Sequence, residues 1–147
     1  MRLLAIARPT SLIETMPARI FLILGALFAC LSVVFSAVIA HLSDFAGGRA
    51  FMVQTALGQQ QFHALGLLLV GLACRGHAPS RWWLASGALM VVGMCLFSFN
   101  IYAHALLGFD ALRALVPWGG GAWIVAWLLL LVGALRSSPA RGGYDLH

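Results

Sequence analysis

Lysine is absent from this 147-residue chain and acids are scarce: Glu14, Asp44, Asp110 and Asp145 are the only four, and 9% of residues carry charge. A soluble domain carries about 25% charged residues, so with 62% apolar residues the composition excludes that class and leaves a membrane protein of one domain. The nine cations are all arginine and give a net charge of +5. They sit between apolar runs rather than in a basic patch interleaved with aromatics, which excludes nucleic acid as a partner. Cysteine is rare and scattered. Cys30, Cys74 and Cys95 have no CxxC spacing, so they are expected to be small apolar side chains and not a zinc site or disulfide framework. The chain also lacks a Ser-His-acid constellation, paired carboxylates, a P-loop and a glycine-rich phosphate cradle. Its acids lie outside the apolar runs, which removes an obvious proton relay. No reaction and no cofactor follow from these residues, and without internal repeats a transporter has no support either.

What the chain does have is four long apolar runs. Residues 18–40, 56–74, 82–103 and 118–135 are each bounded by Arg, Pro, Gly or Asp. At about 1.5 Å per residue each approaches or exceeds the roughly 30 Å of a hydrocarbon core. Short connections then predict an all-α membrane fold of four antiparallel transmembrane helices, up-down-up-down, over residues 16–136. Residues 1–15 are expected to be a cytoplasmic extension and residues 137–147 a short cytoplasmic tail. Arg2, Arg8, Arg19, Arg75, Arg81, Arg136 and Arg141 fall on one side of this arrangement, against Arg49 and Arg113 on the other. That excess places both termini in the cytoplasm. "VIA" before His41 could pass for a signal-peptide cleavage site. The first run is longer than a usual signal core, however, and it carries a stripe of small residues, Gly25, Ala29, Ser32, Ser36 and Ala40, suited to close helix approach in lipid. Pro117 and Trp118 are expected to open the last helix at the outer interface, with Gly119 to Gly121 allowing close backbone approach.

Several stretches share a family pattern. "MPARIFLILGALFA" from Met16, "AHL" at Ala40 to Leu42, "QQFHALGLLL" through Gln60, His63, Ala64 and Leu65, "LFSFNIY" through Leu96, Phe97, Ser98 and Tyr102, and "VPWGG" through Pro117, Gly119 and Gly120 together resemble the YgdD-like family of small four-helix bacterial inner-membrane proteins. That family is a domain of unknown function, also described as transmembrane-protein-256-like. The resemblance runs from about Met16 to Leu135 and leaves residues 1–15 outside. It departs where Ser36 and Ile39 stand for glycines, Gln59 for a tyrosine, and Phe99-Asn100 for a Gly-Ser pair. It implies a fold and a bacterial inner-membrane location, and no activity.

The polar residues inside the runs are the candidate site. With the second helix entering near Thr55, Gln60 lies about 7 Å and His63 about 12 Å below the outer surface. Polar groups at that depth are costly unless partnered, so both should face inward. Ser98 and Tyr102, four apart on the third helix, are the expected partners. Ser36 or His41 would close the edge of one interhelical network. Asn100 falls about 200° from Ser98 and His104 about 240°, so if Ser98 and Tyr102 face inward these two look outward and mark a contact with another protein chain. His41, His63 and His104 share the outer half, but their different depths and the lack of an acidic or Cys ligand argue against a metal or haem site. Two readings remain. One is an accessory or structural subunit packing against a larger membrane complex or against copies of itself in the lipid bilayer. The other is a binder of a lipid or quinone head group held by Gln60, His63 and Tyr102.

Overall fold

The computed structural model describes residues 10–41, 48–75 and 80–136, with side chains from Met16 onward in the first helix and from Arg49 in the second. The expected termini, 1–9 of the extension and 137–147 of the tail, lie outside the described residues, as do Arg2, Arg8, Arg141, Asp44 and Asp145.

The described residues are helical and contain no strand. Helix α1 covers Thr10–His41 and α2 covers Gly48–Ala73. Helix α3 runs over Arg81–Leu107, continuous through a π turn at Cys95–Phe99. A 3₁₀ turn at Arg113–Leu115 leads into α4, Val116–Arg136. Among the described residues, three stretches are long and apolar enough to cross a membrane: Met16–His41, Arg81–Leu107 and Arg113–Arg136. Helix α2 is 26 residues long but is not among them. It carries Gln54, Gln59, Gln60, Gln61 and His63.

The helix ends have local causes. Ser80 caps α3 by accepting from the Trp82 amide at 3.4 Å, which satisfies one of the orphan donors of a first turn. Gly108 ends α3 in the left-handed region at φ 67°. There the Gly108 and Phe109 amides bond back to the His104 and Ala103 carbonyls at 3.1 and 3.2 Å, a closure that favours glycine because it has no Cβ. Pro117 falls in the first turn of α4, where its missing N–H costs nothing. Helix α2 starts eight residues before the apolar run at 56, because Val53, Ala56, Leu57 and Gln60 already form one buried helical face.

The helices meet through glycine notches, in two pairs joined by α2 and α3. Between α1 and α2, a Cβ on Gly25 would stand 2.9 Å from Leu68, and one on Gly71 would stand 2.8 Å from Leu22. Between α3 and α4, the Trp123 ring lies over Gly93 and the Trp83 ring over Gly133, with Gly119 against the backbone of Leu96 and Phe97. In both pairs the contacts run in opposite chain order. Lipid is as apolar as a leucine side chain, so close packing of this kind, rather than hydrophobic burial, holds membrane helices together. The outer surface is correspondingly apolar, with Ile23, Leu27, Leu65, Leu69, Leu128 and Leu131 all exposed. At one end, Arg81 and Arg136 both lie over the Trp82 ring, 5.1 and 4.9 Å from its centroid.

Candidate functional site

Gln60 is fully buried at the middle of α2, and both ends of its amide are used. Its Nε2 donates to the Phe28 carbonyl on α1 at 2.8 Å, and its Oε1 accepts from the Tyr102 hydroxyl on α3 at 2.9 Å. Three helices are thus tied by one side chain. Beside it, the Ser98 hydroxyl donates to the Ala56 carbonyl at 3.0 Å. Aromatic rings seal this seam: Phe35 stacks on Tyr102 at 4.3 Å, and Phe99 lies against Phe28 at 5.6 Å. Ser98 sits inside the π turn. Such a turn leaves backbone groups poorly paired, and membrane proteins tolerate it where protein covers it. Gly119 provides that cover, since a Cβ there would meet the Phe97 nitrogen at 2.7 Å. Gly120 and Gly121, expected to share this role, do not: a Cβ on either would have nothing within 4 Å.

The four expected seam residues do not form one network. Gln60, Ser98 and Tyr102 come together, while His63 is buried on a different side of α2. Its Nδ1 bonds to the Gln59 carbonyl one turn back at 2.7 Å. Its ring stacks on Trp123 of α4 at 3.9 Å and 10°, with Phe62 edge-on at 5.2 Å. Ser36 and His41 do not close the edge either, because both are exposed. The buried face of α1 runs through Phe21, Gly25, Phe28, Ser32 and Ile39, and Ser36 and Ala40 fall one position past it. Ser32 is buried in their place and its hydroxyl donates to the Ala29 carbonyl at 2.7 Å.

The expectation that Asn100 looks outward is also corrected. Asn100 is buried, and its Nδ2 donates to the Leu112 carbonyl in the connection after α3. The short turn Arg113–Leu115 folds back over this side of α3, so the face opposite Ser98 is covered by the chain itself. Asn100 lines a cavity of about 210 Å3 there with Met52, Ile101, His104, Arg113, Val116 and Pro117. His104 is likewise taken up within the chain, its Nδ1 lying 2.6 Å from the Asp110 carboxylate. Asn100 is therefore turned into the protein rather than toward lipid, with its Oδ1 left without a hydrogen-bond partner among the described residues.

A second opening was not foreseen as a distinct site. Gln59, Phe62, His63, Phe97, Gly120, Trp123, Ile124 and Trp127 line a groove of about 270 Å3 between α2 and α4. The residues of this groove come from two runs far apart in sequence, and no spacing rule joins Trp123 to His63. Among the described residues, no three His, Cys, Asp or Glu side chains stand close enough together to hold a metal ion.

Comparison with known proteins agrees with a membrane location. Residues 35–120 match the family described as "Protein of unknown function (DUF423)". A "UPF0382 membrane protein" of Staphylococcus epidermidis is 34% identical over 120 residues, covering 80% of this chain and 97% of that protein. The "UPF0382 inner membrane protein YgdD" of Escherichia coli K12 is 32% identical over 123 residues, covering 82% of this chain and 93% of the relative. No solved structure matches. The family match includes Gln60, His63, Ser98 and Tyr102, and on these comparisons the chain belongs to the DUF423 family of YgdD-like membrane proteins.

Proposed function

We propose that this protein is a four-span inner-membrane protein with no reaction of its own, which works as an accessory or structural subunit by packing against another membrane chain or a second copy. The observation that carries the reading is Gln61. It lies at the middle of α2, about 18 Å from Arg49 and about 21 Å from Arg75 at 1.5 Å per residue, and it is exposed. Gln54 and Gly58 are exposed on the same face, and Gly58 has open space around a Cβ position. An amide facing hydrocarbon at that depth is costly, and small and amide residues on one face are what a partner helix uses. The seam residues Gln60, Ser98 and Tyr102 serve the fold, since their bonds are closed within the protein.

The reading includes an up-down-up-down bundle with α2 as its fourth span. Helix α2 lies beside α1 from Gly71 against Leu22 to Val53 clustered with Ile39, so if α1 crosses the bilayer α2 crosses with it. Gln60 is tolerated at that depth because its amide is fully bonded inside. Arg19, Arg75, Arg81 and Arg136 then gather at one end, against Arg49 and Arg113 at the other, which favours the Arg-rich end, and with it both termini, in the cytoplasm.

The test is crosslinking in native membranes. In a chain with Cys30, Cys74 and Cys95 replaced by Ala, Gly58→Cys should give a crosslinked dimer or adduct with a partner. Gln61→Leu added to that chain should reduce the yield several-fold. A Gly58→Cys chain that stays monomeric, with an exposed Val34→Cys control giving the same result, would remove the packing role.

A further inference from the structure

The groove between α2 and α4 carries an unused hydrogen-bond acceptor at a depth where water is scarce. His63 commits Nδ1 to the Gln59 carbonyl. A carbonyl only accepts, so Nδ1 holds the proton, and the neutral ring keeps a bare lone pair on Nε2. No hydrogen bond reaches Nε2 among the described residues, although the side chain is only 3% exposed. Trp127 supplies a second indole wall to the same groove, its Nε1 sealed beneath the surface. The walls are flat and aromatic: Trp123 stacked on His63, Trp127 at 5.2 Å from Phe62, and Phe97 at 5.0 Å from Trp123. The mouth is held open at Gly120, where a Cβ would have nothing within 4 Å.

We propose that this groove binds the hydroxylated ring of a membrane-dissolved quinol, entering sideways from the lipid. The group required must donate to Nε2 of His63, and a hydroxyl does so. A ring alcohol matches the walls, because stacked and edge-on rings add to simple area burial. Depth selects the source. His63 lies about 21 Å from Arg49 and about 18 Å from Arg75 along α2 at 1.5 Å per residue, too deep for a phospholipid or diacylglycerol head group held at the interface. A volume of about 270 Å3 is at the small end of ligand sites and suits one substituted ring. The oxidised quinone offers only carbonyl acceptors, so it leaves His63 unanswered. The site therefore favours the reduced ring. This rests on α2 as a fourth span but not on the packing role, since Gln61 and the groove lie on different faces of α2.

Isothermal titration of the full chain in lipid nanodiscs, under nitrogen, tests this with three probes: a decyl-substituted benzoquinol, its quinone, and dioctanoylglycerol. The quinol should bind saturably, about ten-fold tighter than the quinone, as one hydrogen bond requires, and dioctanoylglycerol should not saturate. His63→Phe keeps a flat ring against Trp123 and should bring the quinol down to the quinone's affinity. Gly120→Leu projects into open space without a clash, so it should fold normally and lose the quinol at least ten-fold. Equal affinity for quinol and quinone, tighter binding of dioctanoylglycerol, or quinol binding unchanged by Gly120→Leu in a chain of native helix content would each overturn the assignment.

Discussion

Tyr102→Phe removes one oxygen and leaves the volume, the Phe35 stack at 4.3 Å and the helix intact, so it isolates a single interhelical bond. The hydroxyl donates to Gln60 Oε1 at 2.9 Å, with Tyr102 and Gln60 at 3% and 0% exposure. Side-chain bonds between membrane helices average about 0.6 kcal/mol and reach about 1.7. Here the change also orphans an amide oxygen where no water reaches it, and an unsatisfied buried acceptor costs about 1–3 kcal/mol. The expected loss is about 1–2 kcal/mol. Gln60→Leu should cost more, about 2–3 kcal/mol, because it also gives up the 2.8 Å bond to the Phe28 carbonyl and strands the tyrosine hydroxyl. The Phe28 carbonyl itself lies within α1 and keeps its own helical partner.

The combination of the two is the informative measurement. Once leucine replaces Gln60, the Tyr102 hydroxyl is a liability, so adding Tyr102→Phe should cost nothing further or recover a few tenths of a kcal/mol. The double variant therefore falls short of the sum of the singles by at least about 1 kcal/mol. Reversible unfolding by SDS titration in mixed micelles, followed by far-UV dichroism, reads all four proteins. Additivity within about 0.5 kcal/mol would mean that Gln60 and Tyr102 are not partners, and the three-helix tie would be refuted.

Gly93→Leu forces a side chain into the place of the Trp123 ring, which lies over Gly93 and donates from Nε1 to the Met90 carbonyl at 3.2 Å. Overpacking of this kind costs about 1–3 kcal/mol, and an unchanged melting temperature would show that the ring is not seated there. A fluorescent reporter fused after His147 should be bright in the cytoplasm, as the arginine distribution requires. Alkaline-phosphatase activity from the same fusion position would invert the proposed orientation.

The apolar runs at 18–40, 82–103 and 118–135 were legible because hydrocarbon must be matched by hydrocarbon over a membrane's thickness. The inward direction of Gln60, Ser98 and Tyr102 was legible because a polar group at depth must find a partner. The partners were harder to read. Phe28 and Ala56 contribute main-chain carbonyls, and a carbonyl is the same at every position. The outward placing of Asn100 failed for a different reason: helical geometry gives the angle of a residue but not what lies on that side, and the connection through Leu112 came back to cover it. Ser36 failed on a small phase error, since the buried face of α1 follows Gly25 and Ser32 of the small stripe and then continues through Ile39 rather than through Ser36 and Ala40. His63 and Trp123 could not be paired from the sequence at all, because helix packing rather than chain spacing brings them to 3.9 Å.

The three consecutive amides of α2 have one geometric explanation. Successive residues on a helix point about 100° apart, so Gln59, Gln60 and Gln61 cannot serve one surface. Gln60 turns into the protein and joins three helices. Gln59 borders the groove with its side chain, while its main-chain carbonyl, which any residue would supply, holds the His63 ring. Gln61 turns outward. If the three amides served stability alone, Gln60 would suffice, and leucine at 61 would be cheaper in lipid. The presence of an outward amide beside a sealed one is therefore the physical reason to look for a partner on that face, and a substitution there should leave the unfolding midpoint unchanged while altering association.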